Sequence, residues 1–348
     1  MPDVWFAVPG DVRALTGGYA YARRLMQALP QAGWTPRHLV LPASFPLPSA
    51  DDLAQTRDLF AKLPARAVVL ADGLAFGVLP PTLLARLELS WVALVHHPLA
   101  HETGLSDAVA RRFRDSERAA LGAARSVIAT SPHTVEVLQS EFGVPRARIF
   151  LAPPGTDAAA RVQNANQVPR LLTVATLTHR KAHDVLIHAL AQLRDVPWTS
   201  LLVGSLERDP AVTAKVRGLI KTHGLEDRIT LRGELRDSAL EAAYAEADVF
   251  VLPSRHEGYG MVFAEALARG LPIIACAAGA VTETVPADAG LLVAPDDPTA
   301  LAQALRQVLC EQGLRQRLSD AAWIHGQRLP RWADTAAQVA AALRAASP

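Results

Sequence analysis

Short apolar runs alternate along this chain with longer stretches whose apolar residues recur at helical spacing. The runs at 4–8, 38–41, 67–70, 91–95, 127–131, 148–152, 170–175, 200–204, 229–235, 249–252, 271–275 and 289–293 read as strands. Helices are expected at Tyr19–Leu29, Asp51–Lys62, Ser106–Ala124, Thr134–Phe142, Val185–Leu193, Ala211–His223, Leu240–Glu246 and Thr299–Cys310. Strands that alternate with helices in this way build parallel sheets. The pattern runs twice. Its first pass closes at Arg148–Asp157, a small, polar stretch follows at 158–169, and Arg170–Ala175 starts it again. The fold class is therefore α/β with two Rossmann-like domains, the first at 1–157, a linker at 158–169 and the second at 170–330.

One stretch carries most of the candidate chemistry. In Ala247–Ala275, the strand Val249–Leu252 ends at Pro253 and Ser254, and Glu257-Gly258-Tyr259-Gly260 forms a glycine-flanked turn. Met261, Phe263, Ala264 and Leu267 then recur at helical spacing, Gly270 stands where a helix C-terminus favours positive φ, and Leu271–Ala275 opens the next strand. A glycine turn feeding a helix presents backbone N–H groups that suit a phosphate, here from Gly258 through Met261 and Val262. Glu257 and Glu265 bracket the turn. Side chains lean toward a helix's N-terminus, so Glu265 can point into the same mouth as Glu257. Two carboxylates beside a phosphate suit hydroxyl groups, and a ligand with both groups is a nucleotide sugar.

The segment E-G-Y-G-M-V-F-A-E, with ADVFVLPS before it and EALARGLPIIA after it, resembles the E-x7-E motif of the retaining, family-four glycosyltransferases of GT-B fold. The resemblance implies two Rossmann-like domains facing a cleft, with a C-terminal helix at 331–348 packing back on the first. It implies that Glu257 contacts the donor sugar and Glu265 the ribose, with no metal and no other cofactor. In that family an Arg and a Lys five positions apart grip the diphosphate. Lys181 matches the Lys, but the Arg position falls on Thr176, so Arg180 is the candidate substitute. The loop holding Glu234 and Leu235 corresponds to the family's base-binding loop, and Gly17-Gly18 to its glycine loop after the first strand, where a plain structural turn serves equally well. The family's single histidine near the reacting sugar aligns with His96 or His97, and the sequence leaves both open.

Composition narrows the classes. A net charge of +1 over 348 residues gives no field favouring nucleic acid. Cys276 and Cys310 have no metal-ligand spacing and read as free thiols of a reducing compartment, and the first residues lack a signal-peptide pattern, so a cytoplasmic location is expected. The arginines of Ser106–Ala124 suggest a peripheral membrane contact, but they are interrupted by acidic residues and do not share one face, which favours a solvated helix. The D-x-D that holds a metal in other glycosyltransferases does not occur, and the absence of G-x-G-x-x-G after the first strand disfavours a dehydrogenase. The expected activity is retaining transfer of a sugar from a nucleotide-diphosphate sugar to a glycan, lipid or small-molecule acceptor. The alternatives are a sugar-nucleotide-binding protein without turnover, or a GT-B phosphorylase or epimerase.

Overall fold

The computed structural model describes residues 1–163 and 166–347. Its strands are β1 (Asp3–Pro9), β2 (Thr35–Leu41), β3 (Val68–Asp72), β4 (Ser90–Val95), β5 (Ser126–Ala129), β6 (Ile149–Leu151), β7 (Arg170–Val174), β8 (Thr199–Val203), β9 (Ile229–Gly233), β10 (Val249–Leu252), β11 (Ile273–Cys276) and β12 (Gly290–Val293). They form two six-stranded sheets, ordered β2-β1-β3-β4-β5-β6 and β12-β11-β10-β7-β8-β9, and every pair among the described residues is parallel. Parallel strands are buried on both faces, which is why β3, β4, β5, β10 and β11 are continuous runs of buried residues. β2 begins three residues before the expected His38, and it accommodates Pro36 because it is an edge strand paired only with β1.

The chain divides into two compact units, Met1–Gly155 with everything from Pro330 onward, and Thr156–Leu329. In the first unit, Val69, Ala71, Trp91, Val95, Leu121 and Leu138 belong to one buried core. Helix Trp332–Ala346 packs on β4, β5 and β6 of the same unit and buries Val339 and Leu343, while Trp332 meets Tyr21 edge-on at 5.7 Å. The second unit holds one core of Leu186, Leu202, Val251 and Leu305, and another of Tyr244, Phe250, Phe263 and Ile273.

Two expectations need correction. The stretch 158–169 is not a bare linker: Val162 is buried in the second unit, where its N–H donates to the Arg269 carbonyl at 2.9 Å. Positions 164 and 165 of that stretch lie outside the described residues, as does the last position of 331–348. Gly17 and Gly18 do not form a loop ahead of the first helix but are its first two residues, in Gly17–Ala28. Thr16 starts that helix as its N-cap, its hydroxyl accepting the Tyr19 N–H at 3.4 Å. No helix of the described residues is long and apolar enough to cross a membrane.

Candidate active site

β7 and β10 lie side by side at the centre of the second sheet, and the chain leaves them toward opposite edges, β7 toward β8 and β10 toward β11. The C-terminal ends of such a pair open the crevice where doubly wound sheets take ligands. After β7 comes a single 3-10 turn, His179–Lys181, followed by Ala182 at φ 52 and helix His183–Ala191. After β10 comes the turn through Glu257, and then helix Met261–Leu267.

These two turns meet at one carboxylate. Lys181 Nζ lies 2.6 Å from Glu257 Oε1, and Arg180 donates to Glu257 Oε2 at 3.2 Å and to the His256 carbonyl at 2.9 Å. Glu257 is 5% exposed. Burial pushes its carboxyl up, but Lys181 and then Arg180 outweigh burial and hold it at about 2. It is ionised, and an acceptor only, throughout the neutral range.

A third loop props the turn in place. The Ala280 N–H donates to the Glu257 carbonyl at 2.9 Å and the Thr284 hydroxyl to the Tyr259 carbonyl at 2.6 Å. Gly279 has φ +61, and a Cβ there would fall 2.3 Å from the Glu257 carbonyl oxygen. Gly260, at φ +86, caps the helix, and a Cβ on it would fall 2.5 Å from the Phe263 ring. Both positions require glycine. Gly258 is buried, while Tyr259, Met261 and Val262 are half-buried at the helix entry.

Arg255, two residues before Glu257, ties the turns together. Its backbone N–H donates to the Arg180 carbonyl at 2.8 Å, and its guanidinium donates to the His179 carbonyl, to Asp296 Oδ1 at 2.7 Å and to both Asp184 oxygens at 3.2 Å.

Glu265 has different company from Glu257. The Tyr244 hydroxyl donates to Glu265 Oε2 at 2.8 Å, and Arg269 lies over the Tyr244 ring at 4.5 Å while donating to the Glu265 carbonyl. Burial raises the Glu265 pKa, opposed by Tyr244 and Arg269. In the loop after β9, Glu234 is exposed and faces Arg236 at 3.8 Å, and Leu235 packs on the core that contains Tyr244.

The first unit has its own cluster at the ends of β3 and β4. His96 Nε2 is buried with no hydrogen-bond partner among the described residues, and it stands 3.9 Å from Asp72 Oδ2. A Cβ on Gly18 would lie 3.5 Å from the same nitrogen, whereas Gly17 faces open space. Asp72 is 2% exposed and accepts the Leu74 N–H at 2.9 Å; burial raises its carboxyl to about 6. Burial, and then His97, lower His96 to about 4. His97 turns instead to Glu102, at 3.2 Å. The two histidines left open by the sequence thus have separate surroundings. The loop that follows them is pinned by Glu117, 1% exposed, which accepts the Leu99 N–H at 2.9 Å.

Sequence reasoning missed Arg255 and Tyr244 and gave Asp72 no partner. Asp72 is the last residue of β3, and its register opposite Leu94 sets it two residues from the level of His96. Arg255 and Tyr244 carry no motif of their own; only the fold brings them to the site.

Comparison with known proteins follows the same division. The family model described as Glycosyltransferase Family 4 matches residues 16–160, and that described as Glycosyl transferases group 1 matches 157–323. A D-inositol 3-phosphate glycosyltransferase of Xylanimonas cellulosilytica is 30% identical over 64% of this chain and 57% of its own length. An MMP alpha-(1->4)-mannosyltransferase of Mycolicibacterium hassiacum is 28% identical over 74% of this chain and 66% of its own length. The chain thus spans between about half and two thirds of the curated relatives it matches. Among solved structures, sucrose-phosphate synthase from Thermosynechococcus elongatus is similar over 99% of this chain and 98% of its own, with a TM-score of 0.84 at 26% identity. The two family models run consecutively through both units, and the sheets are those of a GT-B protein: this chain belongs to the family-four glycosyltransferases.

Proposed function

We propose that this chain is a retaining glycosyltransferase that takes a nucleotide-diphosphate sugar in its second unit and a hydroxyl acceptor in its first. The observation that carries this reading is the convergence of Lys181 and Arg180 on the buried, ionised Glu257. Such a group accepts a hydrogen bond from a sugar hydroxyl, and the two cations beside it suit the diphosphate that the sugar leaves. Glu265, already holding one donor on Oε2, has capacity left for a ribose hydroxyl.

The step is front-face displacement. The bond from the sugar C1 to the diphosphate oxygen breaks, the acceptor oxygen bonds to C1 on the same face, and the acceptor's proton passes to the leaving phosphate. Lys181 and Arg180 stabilise the charge that develops there, the role a bound cation has in other transferases, so we propose that no metal is needed. Glu257 orients the sugar; its two oxygens are engaged by cations, which leaves it a poor nucleophile. In the first unit, the His96 side chain, 24% exposed and backed by the buried Asp72, offers the acceptor a polar group. The free thiols Cys276 and Cys310 are consistent with a reducing, cytoplasmic setting.

Relatives named for D-inositol 3-phosphate and for mannosylfructose phosphate make small phosphorylated and unphosphorylated polyols the first acceptors to test. The assay combines UDP-, GDP- and ADP-sugars with such acceptors in the presence of a chelator and reads the anomeric configuration of the product by NMR. An α-product from an α-donor is expected. A β-product sinks retention, activity only after metal is restored sinks metal independence, and no nucleotide release from any donor sinks the enzyme reading.

A further inference from the structure

We propose that Arg255 is the positioning residue of the donor site, locking the turn that carries Arg180 and Lys181 to the turn that carries Glu257 and thereby setting the affinity for a diphosphate. The inference rests on the diphosphate reading above.

The geometry is that of a bracket. His179–Lys181 is one turn of 3-10 helix, closed by Lys181 N–H to the Thr178 carbonyl at 3.1 Å and Ala182 N–H to the His179 carbonyl at 3.2 Å. So short a turn has little stiffness of its own. Arg255 takes two successive carbonyls of this turn, that of Arg180 through its backbone N–H and that of His179 through its guanidinium. The remaining guanidinium donors reach Asp184 in the first turn of helix His183–Ala191 and Asp296 in the loop after β12. Four segments of the second unit therefore meet at one side chain that is 13% exposed. Only a planar fork with several fixed donors can do this; an ammonium offers a point charge without the reach or the plane.

The lock matters when the ligand binds. Arg180 and Lys181 are adjacent like charges that share Glu257. A diphosphate must be met by both cations at fixed positions, and an unrestrained turn would have to be ordered at the expense of binding free energy. Arg255 itself adds no net attraction for an anion, because it sits in a cluster of two cations and two carboxylates, with Lys215 on Asp184 at 2.8 Å and Asp296 on its own guanidinium. Its effect on a diphosphate passes through the positions of Arg180 and Lys181 alone.

The test is calorimetric binding of UDP, GDP and ADP, and of UMP, GMP and AMP, to the full chain and to Arg255→Gln, Arg255→Lys and Lys181→Met. For the nucleotide that binds, Arg255→Gln is expected to lower the ratio of diphosphate to monophosphate affinity about tenfold, through misplacement of the two cations. Arg255→Lys, which keeps the charge beside Asp184 and Asp296, is expected to recover part of the thermal stability without recovering that ratio, which separates positioning from bulk stability and keeps the test open if the glutamine variant does not fold. A ratio unchanged in Arg255→Lys but lowered in Lys181→Met overturns the role of Arg255 and leaves the diphosphate reading standing. Equal weakening of both ligands, in step with lost thermal stability, reduces Arg255 to a structural residue and also overturns it. A ratio unchanged in all three variants overturns the diphosphate reading and the inference together.

Discussion

Lys181 and Glu257 are 76 positions apart in the chain, yet their charged groups lie 2.6 Å apart. The contact exists because β7 and β10 are neighbours, so that the loops leaving them meet at the centre of the second sheet. Lys181→Met removes the cation and keeps most of the side chain's bulk. Its turnover is expected to fall roughly 100- to 1,000-fold, the usual cost of removing one electrostatic donor from a reacting centre. Steady-state kinetics at saturating donor check this; a loss below tenfold would assign the charge stabilisation elsewhere.

Glu257 also ties stability to pH. Its carboxyl titrates at about 2 in the fold against an ordinary 4.5, so the stability it contributes is fully present above about pH 4.5 and lost as pH falls toward 2. The shift corresponds to something on the order of 3 kcal/mol. Glu257→Gln should be less stable than wild type at pH 7 and nearly level with it at pH 2. Urea unfolding across that range measures both, and a constant difference would contradict the charge pairing.

Glu117 has the opposite sign. Burial raises its carboxyl to about 8, with the Leu99 N–H only partly opposing, so the fold loses stability as pH rises from about 4.5 to about 8. Glutamine keeps an acceptor for that N–H and carries no charge to bury. Glu117→Gln is expected to raise the melting temperature at pH 9, through a stabilisation of at most about 5 kcal/mol, and to change little at pH 4. Melting curves at the two pH values decide it.

Gly279→Ala places a methyl group against the Glu257 carbonyl. Since the backbone φ is also positive, the loop and the turn must move apart. A loss of roughly 2 kcal/mol or more is expected, together with weaker nucleotide binding. Thermal shift with and without nucleotide reads both effects. An alanine variant that keeps its ligand shift would show that the loop does not position the turn.

The strands of both sheets were legible because buried parallel strands are unbroken apolar runs, as in Val249–Leu252 and Val92–Val95. Glu257 and Lys181 were legible as motif positions, and Arg180 as the nearest cation to a missing one. Their meeting on one carboxylate was not, since it depends on strand order rather than on local sequence. Arg255 shows the limit most clearly: an arginine two residues before a glutamate looks solvated until three other segments are folded around it. The linker hid the burial of one residue for a related reason. Its small polar residues say nothing of Val162, whose burial is decided by the helix ending at Leu267 and the Arg269 carbonyl beyond it. Gly17 and Gly18 were misread because glycine suits a loop, whereas Thr16 supplies a cap that starts the helix around them.

The first unit is completed by helix Trp332–Ala346, which follows the whole of the second unit in sequence. On a ribosome, the surfaces of Tyr21, β4, β5 and β6 wait uncovered while Thr156–Leu329 is made, although that later unit has every strand of its own sheet within one continuous segment. The unit synthesised second is therefore the first able to close, and a stalled or truncated chain ending before Pro330 would keep an intact second unit attached to an unfinished first, with apolar surface open to chaperones and proteases.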